Sequence, residues 1–165
     1  MAAFSVDGVV GRTMQKMAGS KAFSVVGPKV VPPLDRFLHK ITGGRVIMSG
    51  ALLPSLVLTA VGRTSGIERQ TPLACMPDGP NGWYVVGSNF GRTEHPAWTG
   101  NLIANPDATV SYRGETTAVR AELLDDAAKA AVWPRLTTLW PTYDTYVDNS
   151  GRNLRVFLLR PVAAA

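Results

Sequence analysis

The side chains best placed to do chemistry in this chain are arginines, not acids, thiols or imidazoles. In Val61-Gly62-Arg63-Thr64-Ser65-Gly66-Ile67-Glu68-Arg69-Gln70-Thr71-Pro72-Leu73, two guanidiniums bracket two hydroxyls and a glycine-rich bend. Such a set suits a phosphate or carboxylate, because arginine makes strong, often bidentate, charge-assisted bonds. A flexible bend can also turn backbone N–H groups toward an anion. The same residues also read as a hairpin turn with solvated charges, and the loop by itself leaves both readings open.

Two further segments carry polar and aromatic groups in suggestive order. In "VVGSNFGRTEHPAWTGNLIANP", Ser88, Asn89 and Gly91 follow a strand end, and Pro96 then opens a short helix through Ala97, Trp98, Thr99, Gly100 and Asn101. Proline suits a first helical turn, whose unsatisfied N–H donors can receive a ligand. Trp98 is either core or a ring laid against a planar cofactor. In "LWPTYDTYVDNS", Trp140, Tyr143 and Tyr146 recur every third residue. That stripe reads as packing, or as a partly exposed aromatic wall among Thr142, Asp144 and Thr145.

Several functions are excluded by inventory. The two histidines, His39 and His95, lie in no metal-binding pattern, so no metal is expected, and there is no GxSxG elbow, P-loop or GxGxxG. The lone Cys75 lies in an expected strand and reads as a buried structural thiol, with no internal disulfide possible. If the chain is an enzyme, a bound cofactor is therefore expected to supply the reactive atom. The formal charge of +5 attracts anions, but the basic residues are scattered, so nucleic acid is not the expected partner.

These groups must be held by something, and the patterning says what. Residues 1–50 read as an N-terminal helical segment. It holds a short helix in "PPLDRFLHKITGG" and a mixed basic-apolar stretch that either packs on the domain or lies on a membrane surface. Residues 51–165 read as one β-rich domain. "LPSLVLTAVG", "ERQTPLACMPD" and "WYVVGSN" are strands, and "DATVSYRGETTAVRAELL" is a hairpin around Arg113-Gly114-Glu115. "DDAAKAAVWPRLTTLW" is a helix started by Asp125 and Asp126, and "NLRVFLLRPV" closes the chain as a strand. The expected class is mainly β with flanking helices, a small antiparallel barrel. No apolar run reaches the roughly 20 residues of a membrane span. The expected location is cytoplasmic, or peripheral at the inner membrane surface if the N-terminal stretch meets lipid.

In this order, "TAVGRTSGIERQTPL", "VVGSNFGRTEHPAWTGNLIANP" and "WPRLTTLWPTYDTY" resemble the deazaflavin-dependent nitroreductase family, the coenzyme F420-dependent reductases of actinobacteria. The resemblance runs from about Leu52 to Pro161. It implies a split β-barrel of flavin-reductase type that binds F420 and passes hydride from the deazaflavin to an organic acceptor such as a quinone. It further implies that Arg63, Thr64, Ser65 and Arg69 hold the phosphate and glutamate tail. Gln70, Thr71, Pro72, Leu73, Val86, Gly87, Ser88, Asn89 and residues Ala97, Trp98, Thr99, Gly100 and Asn101 would lie along the ring and its ribityl chain. Tyr143 would contact both cofactor and substrate, Trp140 and Tyr146 would wall the acceptor pocket, and Tyr143, Tyr146 and Ser88 would serve catalysis. Thr64 and Asn89 stand where family members often carry lysines, with Arg92 nearby as a substitute cation. Two readings stay beside this one: a flavin mononucleotide reductase on the same barrel, and an F420-binding carrier without turnover. The chain is expected to act as a monomer or homodimer on a small-molecule acceptor.

Overall fold

The computed structural model describes Lys29 and residues 53–162. The N-terminal helix and the basic stretch expected within residues 1–50 lie outside the described residues. Six strands are described: β1 Ser55–Val61, β2 Glu68–Pro77, β3 Trp83–Val86, β4 Asp107–Tyr112, β5 Glu115–Leu123 and β6 Val156–Pro161. Three helices accompany them: α1 Ala97–Ala104, α2 Asp126–Leu139 and α3 Thr142–Ser150. The strands close a barrel in the order β1-β2-β3-β6-β5-β4, every pairing antiparallel.

Local chemistry explains most of this. Arg113 (φ 51°) and Gly114 (φ 87°) take two successive left-handed conformations, the pattern that joins Tyr112 to Glu115 in a two-residue hairpin. Asp125 caps α2 by accepting the Ala128 N–H at 2.8 Å, and Asp126 occupies its first turn. One helix is expected between the last two strands, but two are present. The chain leaves the α2 axis at Trp140, whose extended backbone (φ −140°, ψ 88°) precedes Pro141. A residue before proline disfavours the helical region, so the helix stops there and restarts as α3.

The pleat divides the apolar residues into two cores. Leu56, Leu58, Cys75, Val85, Val110, Val119, Phe157 and Leu159 fill the barrel, and Trp98 and Leu102 bring α1 into the same cluster. On the outside, Met76, Val86 and Val156 meet Val132 and Leu136 of α2, and Trp140, Tyr143 and Tyr146. Neighbouring residues such as Cys75 and Met76, or Val85 and Val86, thus serve opposite faces. Strands covered on both sides read as continuous apolar runs, which is why "WYVV" and "VFLL" do not alternate. Burying each such side chain is worth about 1.5–3 kcal/mol.

One irregularity matters for function. β3 pairs only with Cys75, Met76 and Pro77 of β2, whereas β1 pairs with residues 68–74. Over those seven residues β2 has a single strand neighbour, so the barrel is split along its edge there. No helix among the described residues is long and apolar enough to cross a membrane.

Candidate functional site

The loop between β1 and β2 is closed by its own hydrogen bonds. The Gly62 N–H donates to the Ile67 carbonyl and the Gly66 N–H to the Gly62 carbonyl, both at 2.8 Å. The Ile67 N–H reaches the Ser65 Oγ at 3.3 Å, and the Arg63 N–H donates to the Asn101 Oδ1 at 3.1 Å. The expectation of freely available backbone donors is therefore corrected: four amides of this loop are spent on its own shape and on α1. What the loop offers a ligand is side chains. Arg63, Thr64, Ser65 and Arg69 are all exposed.

The Arg63 bond to Asn101 ties the loop to the helix 38 residues further on. Asn101 is only 8% exposed, so its amide is a fixed part of that joint. The Arg63 guanidinium lies across Gly100, where an added Cβ would stand 1.8 Å from its Nη1. A side chain at this position would displace the Arg63 guanidinium. Sequence-expected residues from two segments are thus brought into contact. At the start of α1, no side chain caps the helix; Thr99 turns inward, its N–H and Oγ1 both donating to the Pro96 carbonyl. Trp98 is core: it is 6% exposed and packs against Phe157 with ring centroids 5.7 Å apart. It can support a cofactor only from beneath.

Beside the loop lies a shallow open depression of about 470 Å³ lined by Thr59, Glu68, Arg69, Gln70 and Thr71. It opens along the split edge of β2. Arg69, two threonine hydroxyls and a carboxamide make a donor set suited to an oxyanion, while Glu68 on the rim works against one. Neither Arg63 nor Arg69 has a carboxylate within 4 Å among the described residues. Two guanidiniums without a carboxylate partner among the described residues, beside hydroxyl donors, suit an anionic group.

The connection from β3 to α1, residues 87–96, is held from several sides. The buried Gly87 donates its N–H to the Arg155 carbonyl at 2.8 Å, and a Cβ there would stand 2.7 Å from the Thr99 Cγ2. The half-buried Ser88 makes no side-chain cap bond, so its hydroxyl stays available. Asn89, Phe90 and Gly91 follow with φ of 47°, 54° and 74°, three left-handed residues in a row. Asparagine is among the few residues that tolerate this region, and its Nδ2 adds a 2.9 Å bond to the Glu94 carbonyl. That accounts for an asparagine at position 89. Arg92 is not a simple substitute, since it faces Glu94 at 4.0 Å.

Two arginines that sequence reasoning did not single out anchor this connection. The Arg155 Nη1 donates to the Thr99 Oγ1 at 3.0 Å. The Arg152 Nη1 lies 2.7 Å from the His95 Nδ1. Burial first, then Arg155 and Arg152, hold the His95 imidazole below its ordinary range, so it is a neutral acceptor at pH 7. No sequence signal could have found these arginines, because their partners lie 56 to 57 residues upstream.

The structure decides the aromatic stripe for packing, the first of its two readings, and against the partly exposed wall. Trp140, Tyr143 and Tyr146 are 7%, 5% and 3% exposed and belong to the outer core. Tyr143 packs edge-on to Tyr146 (6.4 Å) and tilted on Trp133 (6.2 Å), a residue the sequence reading passed over. Helical spacing on α3 is the same for a wall and for a core, and α2 folding over the stripe decides for burial. Burial raises the Tyr143 pKa well above the usual phenol range and pushes Tyr146 up to about 12. The Tyr143 hydroxyl has no hydrogen-bond partner among the described residues. A buried unpaired hydroxyl is costly and favours any ligand oxygen that can reach it. Cys75, buried and pushed up to about 12, stays a thiol, as its strand position suggested.

A model of the F420H(2)-dependent quinone reductase family matches residues 35–161, reaching further upstream than the motifs do. Rv3178 of Mycobacterium tuberculosis, a candidate F420H(2)-dependent quinone reductase, is 32% identical over 109 residues, which cover 66% of this chain and 91% of that protein. A solved F420-H2 dependent reductase, FDR-A, is 26% identical with a TM-score of 0.59 over 65% of this chain and 94% of its own. A chain solved as a domain-swapped dimer shares the fold at 24% identity, with a TM-score of 0.61 over 77% of this chain and 96% of its own.

Proposed function

The chain belongs to the F420H(2)-dependent quinone reductase family, and from that premise we propose that it passes a hydride to a quinone or another conjugated, electron-poor acceptor. It is an oxidoreductase, and its cofactor is coenzyme F420. The bound, reduced cofactor supplies the hydride. The chain's own residues bind, orient and hold a proton. Arg63 and Arg69 would grip the phosphate and glutamate tail, with Thr64, Ser65 and Thr71 adding hydroxyl donors. The split edge of β2 from Gln70 to Leu73, the turn Val86 to Asn89, and the exposed face of α1 around Ala97 and Gly100 would seat the ring. Asn101, Trp98 and Thr99 would support that seat from below.

The Tyr143 phenol is neutral at pH 7 because burial disfavours the phenolate, so it can donate to an acceptor oxygen. Ser88 would add a second hydroxyl. Trp140 and Tyr146, being buried, would shape the acceptor site by backing Tyr143. The observation that carries the reading is the pair of guanidiniums, Arg63 and Arg69, with no carboxylate within 4 Å among the described residues, beside a depression lined by Thr59, Gln70 and Thr71 as well as Glu68.

Fluorescence titration with F420 and with flavin mononucleotide, followed by turnover assays with menadione under excess reduced F420, tests this. Saturable F420 binding and quinone-dependent turnover are expected. Binding without turnover on any quinone would leave a carrier, and flavin binding in place of F420 would overturn the cofactor assignment. Tyr143→Phe should lower kcat by about 10²-fold, the low end of general-acid contributions, with cofactor affinity unchanged. An unaltered kcat would remove Tyr143 from proton transfer.

A further inference from the structure

Arg152 lies in the short connection from α3 to β6, outside every segment that carries the resemblance. Its single guanidinium nevertheless spans the whole β3–α1 connection. Nη1 donates to the Gly87 carbonyl at 3.3 Å and Nη2 to the Ser88 carbonyl at 2.8 Å. Nε donates to the Arg92 carbonyl at 2.9 Å, and Nη1 also meets the His95 Nδ1 at 2.7 Å. These four acceptors fall at the start, middle and end of residues 87–96.

The segment needs such a brace. Asn89 and Phe90 hold left-handed backbone that non-glycine residues adopt only when their surroundings impose it. The segment's own bonds are short-range: the Gly91 N–H to the Ser88 carbonyl (3.0 Å) and the Arg92 N–H to the Asn89 carbonyl (3.1 Å). Among the described residues, no carboxylate lies within 4 Å of Arg152 to draw its charge elsewhere. A planar fork of fixed donors can satisfy several converging carbonyls at once, which a single ammonium cannot.

We propose that Arg152 is the positioning residue of the cofactor seat: by binding the Gly87, Ser88 and Arg92 carbonyls and the His95 ring, it holds Ser88 and Asn89 in the one backbone conformation that receives the cofactor. The cofactor part rests on the reading that residues 86–89 line F420; the bracing part does not. His95 is the acceptor that orients the fork, because its Nδ1 can receive a donor only while that nitrogen carries no proton.

Arg152→Gln and Arg152→Lys in the full chain test this. In ligand-free protein, amide exchange at residues 88–95 should rise at least about tenfold in Arg152→Gln while β1 and β4 exchange as in the parent. The His95 ring resonances should titrate at higher pH once the adjacent guanidinium is gone. The F420 Kd should rise about tenfold with a smaller change in kcat, and millimolar ethylguanidinium should restore part of the affinity. Arg152→Lys, keeping charge without the fork, should recover less than half of the loss. Should Arg152→Gln fail to fold, His95→Ala, which removes one acceptor, carries the exchange and affinity readouts with the same expected direction. Unchanged loop exchange overturns the proposal. So does faster exchange with parental F420 affinity and kcat. A parent protein that fails to bind F420 overturns the cofactor reading and with it the role of Arg152 in it, whatever the exchange rates.

Discussion

Two sets of the described arginines occupy different environments. Arg120, Arg135 and Arg160 each stand 2.7 Å from a carboxylate, of Asp107, Asp78 and Glu122 respectively, and tie β4 to β5, α2 to the β2–β3 turn, and β5 to β6. Arg63, Arg69, Arg152 and Arg155 have no carboxylate within 4 Å among the described residues, and all four sit on or beside the connections that meet α1. Two of these four, Arg152 and Arg155, spend their donors on neutral backbone and hydroxyl oxygens and on the His95 ring nitrogen. The other two, Arg63 and Arg69, keep their guanidiniums for solvent or a ligand. The contrast teaches that lack of a carboxylate partner does not by itself mark a ligand-facing arginine: Arg152 and Arg155 brace the fold without one, and of these four only Arg63 and Arg69 have guanidiniums with no hydrogen bond among the described residues. Exposed ion pairs contribute only about 0–1 kcal/mol each, so the paired set is not where stability is concentrated either.

The contrast can be tested by removing charge from each side. Arg63→Ala and Arg69→Ala should each raise the F420 Kd by about 10- to 150-fold, the equivalent of 1.5–3 kcal/mol for a charge-assisted bond shielded by the ligand. Parental affinity in both variants would return the loop to a plain turn. The glycines sharpen the same division. At Gly82 (φ 110°) a Cβ would stand 1.9 Å from the Leu159 carbonyl oxygen, so Gly82→Ala should destabilise by roughly 1–3 kcal/mol or more in a denaturant melt, because strand backbone must move. At Gly100 the obstacle is the tip of the Arg63 side chain, which can swing away. Gly100→Ala should therefore keep or raise the melting temperature, since alanine favours a helix by about 1 kcal/mol over glycine, yet weaken F420 binding several-fold. Loss of stability with intact binding would show that Arg63 is not placed by Gly100.

A smaller effect concerns His95. Its folded pKa is lowered, by burial first and then by Arg155 and Arg152, so between that value and the ordinary 6.5 the unfolded chain binds more protons. Stability should rise with pH through this window and fall as pH drops below 6.5. His95→Gln should flatten the thermal-melt profile between pH 7 and 5.5; an unchanged slope would assign the trend to other groups. Smallest of all, Arg120→Ala and Arg160→Ala should shift stability by no more than about 1 kcal/mol and F420 affinity by less than about twofold. A large affinity loss there would erase the division between the two sets.

Strands β1 to β6 and helix α1 were legible because short-range chemistry sets them. Alternation, β-branched runs and the Arg113-Gly114 turn name strands and hairpins, and Pro96 names a helix start. A helical turn after Pro141 was legible in the spacing of Trp140, Tyr143 and Tyr146, but its extent to Ser150 as a separate helix was not, since only the backbone conformation at Trp140 separates α2 from α3. The burial of Trp140, Tyr143 and Tyr146 was one of two readings left open, since one face of α3 looks the same whether α2 covers it or solvent does.

By itself the sequence determined the kinds of chemistry the chain can do: no nucleophile, no metal pattern, a guanidinium-rich loop, and therefore a cofactor-borne reaction on a small antiparallel barrel. Only the tertiary structure decided which arginines are neutralised, that the β1–β2 loop spends its amides on itself, and that Arg152 and Arg155 reach back across 56 to 57 residues to hold His95 and Thr99. Local order follows from the energetics of a few adjacent residues. A charge's partner is set by where the barrel closes, and closure depends on every strand at once.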